Sequence, residues 1–289
     1  MNLEGLKTFL AVVEAGSLIA ASRRLNVTQS TVTARINALE DEIGQKLLHR
    51  NKSGAELTSP GFKFKRYAEL MVQLWRQARY EVSLPKGFLG VCNLGLDFDL
   101  WDDAGRAFLE FVRAEAPGVA LAIWPGEQRQ LDRWLSIGLI DVAFCYAPQT
   151  GGNFANRTLF DDELILVSDK PMLEPDLGPS YVYVDHGDEF RRLHAAAYPG
   201  DTTSALTIAS SQWATDHMLR LGGSGYITRR HAKTLLETGR LHQVANAPHF
   251  TRRAYLVEVA QTTAAWHWFE AAIAAVHAAC HRANCNFGK

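Results

Sequence analysis

The stretch Thr28 to Gly44, TQSTVTARINALEDEIG, carries two faces with different chemistry. Val32, Ile36, Leu39 and Ile43 recur at helical spacing and predict one apolar stripe, while Ser30, Thr33, Ala34 and Asn37 project from the other side. A helix that only solvates itself carries Lys and Glu on its outer face. Ser, Thr, Asn and Gln instead suit close approach to base edges and phosphates. Upstream, Leu3, Leu6, Phe9, Leu10 and Val13 predict a first helix ending near Gly16. Ser17 caps a short second helix, SLIAASRRL, whose Ala20 and Ala21 permit close packing. Asn26 suits a left-handed turn and Thr28 caps the third helix, so the spacing is that of a helix-turn-helix.

Beyond Gly44, the run KLLHRNKSGAELTSPG holds a polar turn, Asn51 to Gly54, between two short extended pieces, and reads as a two-stranded wing. Lys46, Arg50 and Lys52 would lie beside the backbone of DNA whose major groove holds the third helix. A small helical domain with an ordinary hairpin is the alternative. Charge favours the first reading. Met1 to Ser83 contain 12 basic and 8 acidic residues, against 18 and 23 in the remainder, so a basic module is joined to an acidic body.

The chain is long enough, at 289 residues, for more than one domain. Four scattered cysteines make no disulfide framework, the N-terminal stretch lacks the form of a signal peptide, and no apolar run reaches membrane-spanning length. A soluble, cytoplasmic protein without membrane attachment is expected.

The segment AASRRLNVTQSTVTARINALEDEIGQKLLHRNKSGAELTSPG resembles the N-terminal domain of LysR-type transcriptional regulators. The resemblance is dense over about 60 residues and includes the Thr-Gln-Ser helix start, the Leu-Glu pair and the Leu-Thr-x-x-Gly end of the wing. It implies that Thr28, Gln29, Ser30, Thr33, Arg35 and Asn37 serve double-stranded operator DNA, with Arg50, Lys52, Thr58 and Ser59 near phosphates. Many members carry Arg where this chain has Ala34, which bears on base preference there.

Pro60 opens a long helix at its first turn, and Leu70, Met71, Leu74, Trp75, Ala78 and Val82 form a stripe along it. The family uses this segment to dimerise, which implies that Leu70, Met71, Leu74, Trp75 and Ala78 pair two copies, as a homodimer or within a homotetramer. Packing back on its own chain is the other use of such a stripe. Pro85 and Gly87 mark a hinge.

After the hinge, strands alternate with helices. VCNLGL, VALAIW and DVAFC read as strands, with helices over Trp101 to Ala114 and around Leu131 to Leu135. The same alternation restarts at Glu163 with ELILVSD, YVYVD, ALTIAS and GYIT. The fold expected is therefore α + α/β: a winged helix-turn-helix over 1–59, a linker helix and hinge over 60–87, and a two-lobed α/β effector domain over 88–289. Lobe 1 is placed at about 88–162 and 262–289, lobe 2 at about 163–261. The two lobes resemble the family's effector domain, which is similar to type 2 periplasmic binding proteins. Within the family, RYAELMVQLWRQARYEV and DLWDD resemble the HdfR-like branch.

Ligands of open α/β sheets sit at the C-terminal ends of strands. That places Asp97, Phe98, Asp99, Leu100, Trp101, Gln128, Tyr146, His186, Ser210 and Ser211 around a cleft. The family commonly has Ser or Thr where this chain has Asp97 to Asp99, and carboxylates repel an anion, so a cationic or polyhydroxylated effector is expected. Alternatively Asp99 and Asp102 only cap a helix N-terminus.

An enzyme reading rests on DFDLWDD, which has the outline of an Asp-x-Asp phosphotransfer loop, making the chain an α/β enzyme with an accessory DNA-binding domain. Trp101 stands where such loops have Thr or Val, and no matching Lys is evident, so no catalytic activity is expected. Ser224 in GGSGY lacks a nucleophile elbow. Cys280, His281 and Cys285 cannot close a metal site unaided, and Asp185 to Asp188 read as a polar loop. Cys145 is a buried thiol or, as in some relatives, a redox sensor. No cofactor or metal is expected. The partners implied are operator DNA, a small-molecule effector of unknown identity, a second copy of the chain and, as a possible addition, RNA polymerase.

Overall fold

The computed structural model describes residues 2–51, 54–200 and 204–285. It divides into two compact units, Met1–Pro85 and Lys86–Lys289.

In the first unit, α1 (Leu3–Ala15) opens where the Asn2 side chain accepts the Glu4 N–H at 3.0 Å, and it ends at Gly16 with φ 64°. Ser17 caps α2 (Leu18–Leu25), Asn26 takes φ 53°, and the Thr28 hydroxyl accepts the Thr31 N–H to start α3 (Gln29–Ile43). Leu6, Phe9, Val12, Val32 and Ile36 are fully buried together. The expected stripe stops one turn early. Ile43 is 36% exposed, and the next inward position after Leu39 belongs to Glu40. The Glu40 carboxylate accepts N–H groups from Leu47 at 2.9 Å and Leu48 at 3.2 Å, and the Lys46 ammonium at 2.7 Å. Burial raises its pKa, but these donors outweigh burial and hold it below the ordinary value.

Strands β1 (Leu48–Asn51) and β2 (Gly54–Leu57) pair antiparallel, Leu48 opposite Leu57 and Asn51 opposite Gly54. The wing is pinned to the end of α1: the Ala55 N–H donates to the Gly16 carbonyl at 2.8 Å, and a Cβ on Gly54 would lie 2.4 Å from that oxygen. The next helix, α4 (Ser59–Val82), has 24 residues and is about 36 Å long. Its apolar residues serve two sides. Ala68, Val72 and, in part, Met71 pack on the first unit's own core, whereas Tyr67, Trp75 and Tyr80 are about half exposed and Val82 is 87% exposed. Leu70 and Leu74 lie between, partly covered, and Ala78 is exposed.

The second unit is built on one nine-stranded mixed sheet. In its first lobe β3 (Gly90–Leu96) lies parallel to β4 (Val119–Pro125) on one side and, on the other, to β5 (Val142–Cys145). The helix expected from Trp101 opens instead with a 3₁₀ turn, Phe98–Leu100, and one wide turn, Trp101–Gly105, before α5 (Arg106–Glu115). Gly105 is pressed against Trp101 and Leu96, where a Cβ would come within 2.9 Å of the indole. A further helix, α6 (Gln128–Ser136), follows β4.

The largest departure is β6 (Phe154–Ser168). ELILVSD is only the second half of this 15-residue strand. Then come β7 (Tyr181–Val184), α7 (Asp188–Ala197), β8 (Leu206–Ile208), α8 (Ser211–Leu221), β9 (Ser224–Thr228), α9 (Arg229–Glu237), the short β10 (His242–Gln243) and β11 (Phe250–Val259). A four-residue turn of helix, α10 (Ala260–Thr263), and α11 (Phe269–Cys285) close the chain's described part. β6 and β11 run antiparallel from Phe154–Val259 to Leu164–Phe250, with a register shift between Ala254 and Tyr255. The far half of β11 pairs with β5 and the far half of β6 with β9, so these two strands pass through both lobes. The lobes meet within strands, not between elements. Alternation along β6 serves both faces of the second lobe: Ile165 and Val167 enter one core with Val182 and Met218, Leu164 and Leu166 another with Tyr181 and Phe190. Among the described residues no helix is long and apolar enough to cross a membrane.

Candidate functional site

On α3 the residues Thr28, Gln29, Ser30 and Ala34 are exposed, with Thr33 and Asn37 half-buried at their flank. Ala38, exposed one turn beyond Ala34, extends this face and was not singled out by sequence reasoning, because a lone Ala carries no polar signal. Arg35 departs from expectation. Its Nη1 lies 3.3 Å from the Glu4 carboxylate and 3.4 Å from the Thr8 hydroxyl, both on α1, so it faces inward. Thr58 is also committed elsewhere: its hydroxyl donates to the Lys46 carbonyl at 2.6 Å and accepts the Gly61 N–H at 2.9 Å, which makes it the cap of α4. Ser59 is exposed. Arg50 belongs to β1, but its side chain, like the whole of Lys52, lies outside the described residues.

In the second unit a cavity of about 610 Å³ lies between the lobes, lined by Asp97, Phe98, Gln128, Tyr146, His186 and Arg252 among others. Five of the ten residues expected there are therefore present. The other five are turned away. Leu100 is fully buried in the first lobe's core and Trp101 packs against the same core. Ser210 and Ser211 are buried at the start of α8. Asp99 reaches across to the second lobe, where it accepts the Ser211 N–H and hydroxyl, each at 2.8 Å, and the Arg252 Nη2 at 2.6 Å. It caps a helix N-terminus, but one in the opposite lobe. His186 Nδ1 stands 3.6 Å from the same carboxylate. Burial alone would raise the pKa of Asp99, yet His186, Arg252 and Ser211 hold it far below the ordinary value.

Asp97 has a different environment. Its carboxylate accepts the Asp99 N–H at 3.0 Å, and burial, with the Asp99 charge adding and the Arg252 charge opposing, pushes its pKa up to about 6. Gln128 is a brace: its amide donates to Asp132 at 2.7 Å and accepts the Ala147 N–H at 3.0 Å. Asp132 also lines the cavity, and burial raises its pKa despite that hydrogen bond. His186 donates from Nε2 to the Tyr226 carbonyl at 2.9 Å, and burial, then Arg252, pushes its pKa below the ordinary value against the pull of Asp99.

Two arginines missed in the sequence organise this centre. Arg230, at the start of α9, binds Asp103 at 2.5 Å, both oxygens of Asp162 at 3.1 Å, the Tyr146 hydroxyl at 3.1 Å and the Asp99 carbonyl. Tyr146 in turn donates to Asp162 at 2.6 Å. The Arg252 guanidinium stacks 3.5 Å above the centre of the Tyr146 ring. A signal for this existed: Asp161-Asp162 and Arg252-Arg253 are complementary runs that the β6–β11 register sets opposite each other.

The Asp-x-Asp reading does not survive this geometry, because Asp99 is held in ion pairs outside the cavity and cannot share a phosphoryl group with Asp97. Cys145 is buried, donates to the Ala147 carbonyl at 3.1 Å, and burial pushes its pKa up to about 12. Such a thiol is inert at neutral pH. Among the described residues no group of three or more His, Cys, Asp or Glu side chains is placed to hold a metal ion.

Residues 3–62, the capped helices, the wing and the start of α4, match the family described as bacterial regulatory helix-turn-helix protein, lysR family. This segment carries the helix-turn-helix domain of that family. Among LysR-type relatives, the HTH-type transcriptional regulator HdfR of Salmonella typhimurium is 26% identical over 260 residues, 89% of this chain and 92% of that protein. The crystal structure of CbnR, a LysR family transcriptional regulator, matches with a TM-score of 0.66 at 17% identity over 98% of this chain and 99% of that one. Full-length LysG from Corynebacterium glutamicum, solved with bound effector Arg, matches with a TM-score of 0.53 at 18% identity over 98% and 99%. The two solved structures share the fold of this chain.

Proposed function

We propose that this LysR-type protein is a sequence-specific transcriptional regulator that binds operator DNA through α3 and the β1–β2 wing, and that a small molecule in the cavity at Asp97 and His186 modulates that binding. The face of α3 on which Gln29, Ser30 and Ala34 are exposed, with half-buried Thr33 beside them, carries the DNA reading. Such a helix fits the major groove, where side-chain amides and hydroxyls meet base edges. The half-exposed Trp75 and the exposed Ala78 on α4, with Leu70 and Leu74 beside them, pair two copies, as a dimer or within a tetramer. Two copies place two α3 helices on a site with two-fold symmetry, about one turn of DNA apart. The protein acts on DNA in the cytoplasm, and bound beside a promoter it is positioned to contact RNA polymerase.

The effector reading is supported by the cavity itself. Its volume of about 610 Å³ suits a small metabolite, and its walls come from both lobes, so occupancy biases their arrangement. The DNA reading is tested by fluorescence anisotropy with a duplex from the gene's own upstream region. Ser30→Glu and Thr33→Glu should each weaken binding more than tenfold, with a steep salt dependence in the unmodified protein. Asp97→Ala should leave affinity for the bare duplex unchanged. Equal binding by all variants refutes the reading. The effector reading is tested with a low-molecular-mass extract of the source cells. The extract should raise the melting temperature of the unmodified chain and leave that of Ala209→Trp, which fills the cavity, unmoved.

A further inference from the structure

The cavity walls carry hydrogen-bonding capacity that the protein does not use. Among the described residues the Asp97 carboxylate accepts only the Asp99 N–H at 3.0 Å, and that of Asp132 only the Gln128 amide at 2.7 Å. Neither carboxylate has a cation bonded to it among the described residues. On the second lobe the cavity acids Asp185 and Asp188 are both paired with Arg191, and Glu189 lines the wall beside them; Glu127 and Arg129 line it from the first lobe, so acids outnumber cations in the lining. A third group is also incompletely used. Arg252 has a side chain only 9% exposed, spends Nη2 on Asp99, and leaves its buried Nε without a hydrogen-bond partner among the described residues. An arginine so enclosed normally has its donors satisfied.

Charge in the surrounding network is unbalanced in one direction. Asp97, Asp99, Asp103 and Asp162 stand against Arg230 and Arg252, and the two cations are already engaged with Asp99, Asp103 and Asp162. A cation would therefore complete Asp97, whereas a dicarboxylate would meet Asp97 and Asp132 with like charge. Phe98, Phe190, Leu193 and Phe250 supply apolar wall between the polar groups, enough for an aliphatic stem.

We propose that the cleft binds a small organic cation of the amino acid or amino amide class, its ammonium or guanidinium held by Asp97 and Asp132 and an oxygen acceptor turned to Arg252. This rests on the effector reading above and specifies its chemistry. The two carboxylates on the first lobe fix the charged end, and Arg252 on the strand shared by both lobes takes the acceptor, so one molecule bridges the parts that Asp99 now ties together.

The test is calorimetric titration of the full chain at pH 7.5 with four probes: L-lysine, L-lysinamide, cadaverine and glutarate. Lysine and lysinamide should bind, cadaverine, which lacks an acceptor oxygen, at least tenfold more weakly than lysinamide, and glutarate not at all. Asp97→Asn and Asp132→Asn should each weaken lysinamide at least tenfold while circular dichroism stays as in the unmodified chain. Cadaverine equal to lysinamide, or Asn variants equal to the parent, overturns the proposal. Glutarate binding that is lost in Ala209→Trp also overturns it while leaving the effector reading intact. Silence of all four probes overturns it too, and the extract experiment then decides separately whether the cavity is an effector site.

Discussion

Replacing Asp97 with Asn should stabilise the second unit at neutral pH, and the gain should shrink in acid. The carboxyl moves from its ordinary value of 3.8 to about 6 on folding, because the protein takes it out of water beside Asp99 and the Arg252 charge offsets only part of that cost. The folded state therefore binds its proton more tightly than the unfolded chain does. Stability from this group is fully present below pH 3.8 and is lost as pH rises through 6. At about 1.4 kcal/mol per pH unit, the ionised carboxylate costs about 3 kcal/mol at pH 7.5 and about 1 kcal/mol at pH 4.5. Asn keeps an oxygen to accept the Asp99 N–H and removes the charge. Urea unfolding followed by tryptophan fluorescence reports on this unit, since six of the seven tryptophans lie in Lys86–Lys289. The variant should gain about 3 kcal/mol at pH 7.5 and lose about 2 kcal/mol of that advantage by pH 4.5. A gain independent of pH, or a loss at both values, would refute the argument.

Asp99→Asn has the opposite sign: it leaves Arg252 buried without its counter-charge and should cost about 3–5 kcal/mol, seen as an earlier urea transition of the same unit. Retention of parental stability would mean that the tie between lobes is not electrostatic. Glu40→Gln should destabilise the first unit by about 1–3 kcal/mol, measured by thermal melting at pH 7.5. Because the Glu40 pKa is lowered on folding, that contribution is present above 4.5 and disappears as pH falls through the lower folded value. Cys145 should react with a disulfide reagent only as fast as the unit opens, and peroxide should leave operator affinity unchanged in the parent and in Cys145→Ala alike. Fast labelling of Cys145 in the native protein would contradict its burial.

Local chemistry made the first unit legible. Asn2, Ser17 and Thr28 cap their helices, Gly16, Asn26 and Gly44 take left-handed conformations, and each feature depends on a few neighbouring residues. Strand alternation likewise announced two α/β lobes, and the strand-end rule found Asp97, Gln128, Tyr146 and His186. What the sequence could not display is which partner each charge finds. Arg35 turns to Glu4, 31 positions away, and Glu40 replaces an apolar residue because two backbone N–H groups beyond the turn need an acceptor. The separation of Asp97 from Asp99 is the sharpest case. Two positions apart on one loop, they form one acidic pair in the sequence. Only the approach of α8 and β11 gives Asp99 its donors, with Arg252 bonded to it and not to Asp97 at the cavity, because ionic partners are set by three-dimensional proximity and not by spacing along the chain.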